Sequence, residues 1–361
     1  MPIKGNKGEW SEFYAFIKIL TDGKVFNADK NLEILKDNFY LVLKIIRQEA
    51  SGVKSYDISK GDGKILVYGE KGEKIVSVDL DKIKSKVIDI FGEMKSSAGT
   101  TFGITMAEDV MGELHCSQIK ASSREKVDLT IVLHDKKSPE FPELGFSIKS
   151  MLGAPSTLLN ASGATNFVYK VIEKKSEKKE GAAPDKNFKV REAAVQVYGD
   201  GGKLEFLGMD SEVFRRNLRR IDSYFPEIIA EVVKHYYSSG RSKLPDLVDC
   251  IMADKEFVGK IDFTKEDLVL KIKRFLSAIA LGMTPGEDWD GYTETHGGYI
   301  IVKENGEIAC YHLYNRDKFE DYLFNNVKLD TPSTTRHKFG TPYKEKDEKR
   351  VRYNLQIRFL R

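Results

Sequence analysis

KVDLTIVLHDKKSPEFPELGFSIKSMLGAPSTLLNASGATNF, residues 126–167, is the stretch whose reading decides the fold. Its opening, Val127 to Leu133, is apolar and β-branched with one acid, Asp128, near the start, the pattern of a buried strand. A turn region with two prolines follows. Leu144 to Ser150 then reads as a second short strand, in which Ser147 and Lys149 share a face because side chains alternate with period 2. Pairing the two strands brings Asp128 and Lys149 together at one end of a sheet.

An acid and a lysine so placed match what phosphodiester hydrolysis requires: a hard cation held by carboxylate, and a positive group near the attacking water or the phosphate. After Lys149 the chain is rich in small polar residues, Ser150, Ser156, Thr157, Asn160, Ser162, Thr165 and Asn166, which reach phosphates and base edges without bulk. A hairpin with a solvated lysine is the ordinary explanation of such spacing, so the pattern needs support from elsewhere in the chain.

That support lies in residues 5–20, GNKGEWSEFYAFIKIL, in 145–167, in LDTPSTTRHKFG at 329–340, and in NLQIRF at 354–359. With these pieces the whole chain resembles the HpaII-type restriction endonucleases, in the PD-(D/E)xK nuclease superfamily. The resemblance implies an α/β fold with a mixed central sheet flanked by helices, and additional helical and C-terminal β elements. It implies Mg²⁺-dependent cleavage of double-stranded DNA at a short palindrome, CCGG for the namesake, by a type II site-specific deoxyribonuclease with a cognate methyltransferase as functional partner. Such nucleases often begin with a helix whose acid points into the metal site, a role that falls here on Glu12. Asp128 then holds the metal, the Ile148 carbonyl is a further oxygen ligand, and Lys149 acts on the attacking water or the phosphate. The chain departs from the superfamily motif at Ser147, where a carboxylate is expected; a hydroxyl is the poorer ligand for a hard cation. Two other functions stay open: a repair-type nuclease that reads structure rather than sequence, and a DNA-binding protein without cleavage.

Composition sets bounds on these readings. The 361 residues suffice for one large domain or two, and the 41% hydrophobic content for a substantial core. With 58 Lys+Arg against 55 Asp+Glu the net charge is only +3, so any DNA-binding surface has to be local. Cys116, Cys250 and Cys310 are widely spaced, which argues for free thiols in a reducing cytosol rather than disulfides or structural zinc. No apolar run reaches the roughly 18 residues needed to span a bilayer, and the start lacks a signal-peptide core. A cytoplasmic protein without membrane contact is expected.

Along the chain, helical spacing of Trp10, Phe13, Phe16, Ile17 and Leu20 predicts a helix over 8–20. Residues 39–47 read as a strand and 64–79 as a hairpin, while 81–95 read as a helix burying Ile83, Val87, Ile88, Ile90 and Phe91. A short helix is expected over 106–114, whose acids Glu108, Asp109 and Glu113 are read as solvated. The lysine-rich 172–187 marks an exposed loop or boundary, dividing a nuclease core at 1–172 from a helical and DNA-contacting region at 173–361 packed with it. A hairpin at 191–207, helices over 210–238 and 246–281, a hairpin at 299–313, a helix at 317–327 and a strand at 353–359 complete the expected elements. Arg215, Arg216, Arg219 and Arg220 form a helical cluster that suits either a DNA backbone or solvent. Thr335, Arg336 and His337, in a polar loop, become DNA contacts on the strength of the resemblance, Arg being able to read guanine in a bidentate way. A palindromic target fits a homodimer.

Overall fold

The computed structural model describes residues 3–120, 127–134, 141–173, 194, 202–261, 263–292 and 296–360. They fall into two compact units, Met1–Ser156 with Thr293–Tyr322, and Thr157–Tyr292 with Leu323–Leu360. The first boundary thus lies at 156/157 rather than after 172, and residues 293–322 return to the first unit.

The first unit opens with helix α1, Lys7–Asp22. Asn6 and Glu9 start it with a reciprocal capping box, and Gly23 ends it in the left-handed conformation at φ 64°. The expected apolar face is buried, and so are Tyr14, Ala15 and Ile19, so the helix is enclosed on most sides rather than half solvated. Around it run strands β1 (Lys24–Ala28), β2 (Ile34–Glu49), β3 (Gly52–Asp57), β4 (Lys64–Tyr68) and β5 (Lys74–Asp79), helices α2 (Leu80–Ser96) and α3 (Thr105–Glu113), and strands β6 (Leu129–His134) and β7 (Glu143–Ser150). Two later strands, β11 (Gly298–Val302) and β12 (Ile308–His312), join the same sheet, whose order is β1-β12-β11-β7-β6-β2-β3-β4-β5.

β1 pairs with β2 as well as with β12, so six of these strands close a ring of pairings. The closure depends on the length of β2, read from sequence as 39–47 only. Its first half meets β1, Leu41 to Ile46 meet β6 across a register shift between Val42 and Lys44, and Lys44 to Glu49 meet β3. The sheet is mixed, with β7–β11 and β1–β12 parallel. In α2 the buried residues are Ile83, Val87, Ile90 and Met94; Ile88, expected inside, is 79% exposed, because Met94 continues the 83–87–90 stripe and Ile88 lies off it.

In the second unit, β8 (Thr157–Leu159), β13 (Val327–Leu329) and β16 (Ile357–Phe359) form a three-stranded sheet. A four-stranded sheet takes β9 (Asn166–Ile172), β10 (Lys203–Met209), β14 (Tyr343–Glu345) and β15 (Glu348–Asn354) in the order β10-β9-β15-β14. Helices α4 (Glu212–Ile221), α5 (Phe225–Ser239), α6 (Leu244–Ala253), α7 (Lys255–Val258) and α8 (Lys265–Ala280) belong here. Helix α9, Arg316–Asn326, begins in the first unit, and the short α10 is Thr334–His337. The strand expected over 353–359 is two strands in different sheets, with Leu355 and Gln356 between them. Only the second half of the 191–207 hairpin can be assessed; apart from Ala194, residues 174–201, including most of the lysine-rich loop, lie outside the described residues.

The β6–β7 pair was the expected centre, and it is antiparallel with Leu129 opposite Phe146. Phe146 and Ile148 face the α1 core, which leaves Ser147 and Lys149 on the other side of β7. Gly145 is required by close approach: a Cβ there lies 2.8 and 2.9 Å from the two methyl groups of Val127. This contact lays the Val127–Asp128 backbone across β7, where the Asp128 N–H donates to the Phe146 carbonyl at 2.9 Å. Gly145→Ala is therefore expected to push Val127 outward and cost about 1–3 kcal/mol, read by urea unfolding. A neutral substitution would show that the Val127 methyls yield freely.

Candidate active site

Asp128 stands at the entry to β6. Its Oδ2 accepts hydrogen bonds from the Ile148 N–H at 2.7 Å and from the Ser147 hydroxyl at 3.1 Å. The Lys149 ammonium in turn donates to Ser147 Oγ at 3.0 Å. Ser147, the position that departs from the nuclease motif, is therefore a relay: the residue is 4% exposed, and its hydroxyl accepts from the lysine and donates to the aspartate. Beneath Lys149, the ring of Tyr299 lies 5.4 Å from the ammonium, brought there because Tyr299 in β11 is the register partner of Ser147. No local pattern around Tyr299 marks it as a contact of this group.

Glu12 joins this group from α1. The helix is fastened to β7 next door, where Ser11 Oγ donates to Ser150 Oγ at 2.7 Å and the same hydroxyl accepts from the Leu152 N–H at 3.0 Å. Burial, and next the charge of Asp128, push the Glu12 carboxyl from 4.5 up to about 7, against the pull of Lys120, Lys149 and Arg47. Burial draws the Lys149 ammonium below the ordinary lysine range, with the like charge of Lys120 adding to it and Asp128 and Glu12 opposing. Glu12 Oε2 is buried without a hydrogen-bond partner among the described residues, an acceptor left open. Two carboxylates, one carrying an orphaned oxygen, suit a hard divalent cation.

Glu12, Ile148, Lys149, Ser150 and Ser156 line one cleft of about 720 Å³, closed on another side by Lys7 at the start of α1. Two basic residues overlooked in sequence complete the surroundings. Arg47, read there as part of a structural strand, is buried against Glu49 at 3.5 Å and stacks 4.7 Å from the Phe16 ring. Lys120 stands 3.8 Å from Glu12 Oε1. Neither lies in a recognisable motif, and both reach the site only through tertiary packing.

The other expected contacts divide. Thr165 and Asn166 are buried, with their polar groups spent inside the protein. Asn354 donates to Asn166 Oδ1 at 2.7 Å and to the Ser162 carbonyl at 2.7 Å, and Asn166 donates to Asp210 at 3.1 Å and to the His337 carbonyl at 3.2 Å. Ser162 caps the turn that leads into Thr165. The small polar residues near 160–166 thus build a junction, which removes Thr165 and Asn166 from the groups free to read bases. Thr157 lies in β8, and Asn160, Thr335 and Arg336 are exposed. The arginine cluster is largely committed as well: Arg216 forks onto Asp288 at 3.0 Å, Arg220 donates to the Trp289 carbonyl, and Arg215 meets Glu212 at 3.5 Å. Glu113 pairs with Lys82 and Lys86 at 3.1 and 2.9 Å, apart from the site. In the second unit Glu231, His235 and Asp254 converge, but the Lys234 ammonium already contacts both carboxylates.

The raised Glu12 carboxyl has a consequence for stability. Between pH 4.5 and about 7 the folded chain keeps a proton that the unfolded chain has lost. That contribution is fully present below 4.5 and is lost as pH rises through 7. Glu12→Gln, which cannot ionise, is expected to stabilise the cation-free protein at about pH 8 by roughly 2–3 kcal/mol more than at about pH 5. Urea unfolding at the two pH values measures this, and an equal effect at both would show that Glu12 ionises normally.

The chain is 39% identical over 357 residues to the type II restriction enzyme HpaII of Haemophilus parainfluenzae, covering 99% of this chain and 98% of that protein. No solved structure gives a significant match. The sequence model of the HpaII restriction endonuclease matches residues 6–359, and the chain accordingly belongs to the HpaII restriction endonuclease family.

Proposed function

We propose that this type II restriction endonuclease hydrolyses phosphodiester bonds of double-stranded DNA at a short palindrome, CCGG by analogy with the family's namesake, with Mg²⁺ at the Asp128–Glu12 pair. The hydrogen-bonded chain Asp128–Ser147–Lys149 beside an unpartnered Glu12 oxygen is the observation that carries this reading. The mixed sheet with Asp128 and Lys149 on adjacent strands supports a PD-(D/E)xK core. The cation, when bound, supplies Lewis-acid polarisation of the phosphate and a more acidic water.

The chain's own groups do the rest. Asp128 is held in one orientation by two donors on the same oxygen, which leaves its other oxygen outside these two bonds. Glu12 is the second acid at the metal. Lys149, less basic than an ordinary lysine, orients the attacking water, can take up its proton, and offsets charge building on the phosphorus centre. Ser147 keeps the Lys149 ammonium directed, and the Ile148 carbonyl, at the cleft wall, is a further oxygen for the cation. For DNA contact we retain Ser156, Thr157, Asn160, Thr335, Arg336 and His337. Ser150, which lines the cleft, is also retained, but as a contact whose hydroxyl is shared with Ser11. Cleavage of unmethylated DNA calls for a cognate methyltransferase that protects the host, and a palindrome suits two subunits related by a twofold axis.

One observation favours a second reading: a hydroxyl at 147 where the motif has a carboxylate fits a protein that binds DNA without cutting. Digestion of unmethylated plasmid with Mg²⁺ separates the two. The proposal expects discrete fragments whose ends share one motif, and a loss of cleavage on the order of a thousandfold in both Asp128→Asn and Lys149→Ala. Site-specific binding in Ca²⁺ with no cutting under any divalent cation would transfer the case to the second reading.

A further inference from the structure

Lys120 was not drawn into the site by any motif, yet its surroundings are built. The chain just before it is clasped by Arg47, whose guanidinium donates to the carbonyls of Gln118 at 3.2 Å and Ile119 at 3.1 Å. Arg47 is itself fixed by Glu49, whose carboxylate also accepts from the Ser117 N–H at 2.8 Å and the Ser117 hydroxyl at 3.0 Å. Ile119 is buried, and its Cδ1 lies so close to Gly5 that a Cβ there would come within 2.9 Å. The backbone of Lys120 is therefore tethered to the same core that carries Glu12.

Its side chain is different. It is 49% exposed and reaches only to 3.8 Å from Glu12 Oε1, an electrostatic contact too long for a hydrogen bond. Among the described residues the ammonium spends none of its three donors. Lys149, by contrast, is half-buried and donates to Ser147. A tethered lysine with open donors, drawn to the site by the charge of Glu12, is what a backbone phosphate needs: a point charge and hydrogen-bond donors without sequence preference.

We propose that Lys120 is a DNA-phosphate contact of the cleavage site, held beside Glu12 by the Arg47 clasp on residues 118–119. The inference rests on the nuclease reading of the site and adds to it the residue that receives the strand next to the reacting carboxylates. Glu12 then has two functions, as a ligand and, through its Oε1, as the resting neighbour of Lys120 in the absence of DNA.

The test is binding by the full chain to two duplexes of about 20 base pairs, one with CCGG and one of the same composition without it, followed by anisotropy in Ca²⁺ over a series of salt concentrations. Lys120→Ala is expected to weaken both duplexes by similar factors, about three- to tenfold, and to reduce the slope of log K against log salt by about one. Lys120→Gln, which keeps the stem but not the charge, should match it, and Lys120→Arg should restore the slope. An unchanged slope in both neutral variants overturns the inference. So does a loss that Arg leaves unrepaired, because a packing role would respond in that way. If the wild-type chain binds and cuts while these variants keep its slope, Lys120 alone has been misassigned. If the wild-type chain binds neither duplex, the nuclease reading fails and takes this inference with it.

Discussion

Two carboxylates, Asp128 and Glu12, share one partly buried space, and the negative charge of the first helps keep a proton on the second. Left alone, such a pair is unfavourable, since each ion loses solvation and repels the other. The structure answers with three positive groups of different exposure: Arg47 buried, Lys149 half-buried, Lys120 half exposed. They do not fully offset burial, and Glu12 stays well above an ordinary carboxyl. That residual imbalance is one that a bound divalent cation would relieve, and much of the first unit holds the pair against it.

The sheet provides the means. Asp128 is fixed by β7 rather than by its own strand, through the Ile148 N–H and the Ser147 hydroxyl. Gly145 allows the preceding residue to lie flat enough for that. Glu12 comes from a helix enclosed on most sides, with Trp10, Phe13 and Phe16 essentially unexposed. Burying each such aromatic contributes on the order of 1.5–3 kcal/mol, so α1 has little freedom to carry its acid away from Asp128. The long β2, paired with β1, β6 and β3, bears Arg47 near its end and closes the ring of strand pairings against which the helix packs. The cost of bringing charges together is met by apolar packing several residues away from them.

How much of this was legible in the sequence varied with the range of the interaction. Period-2 alternation in 144–150 and the 3.6-residue spacing in 8–20 report local burial, so β7 and α1 emerge close to their limits, and with β7 the shared face of Ser147 and Lys149; Glu12 is singled out by the family resemblance, not by the spacing. β2 came out short because its first half is shared between strands and only partly buried, which blurs the alternation. Ile88 was misplaced because a helix rich in isoleucine has more apolar residues than one face can bury. Thr165 and Asn166 look in sequence like any exposed polar loop; only the approach of Asn354, nearly 190 positions later, turns them inward. Arg47, Lys120 and Tyr299 share that limitation. Each acts through a partner far along the chain, and no periodicity records a partner.

Ser147 shows the same balance at the scale of one side chain. Its hydroxyl is almost fully buried between Asp128 and Lys149, and a carboxylate in its place would put a third negative charge beside two that already disturb each other. A neutral group that both accepts and donates connects the lysine to the aspartate at no charge cost, and a hydroxyl is the smallest side chain able to do so. Lys149 then faces less attraction than it would from a motif carboxylate, and burial can draw its basicity down as it does. The departure from the motif therefore keeps Asp128 and Lys149 joined through one neutral hydroxyl, with burial drawing the lysine's basicity down.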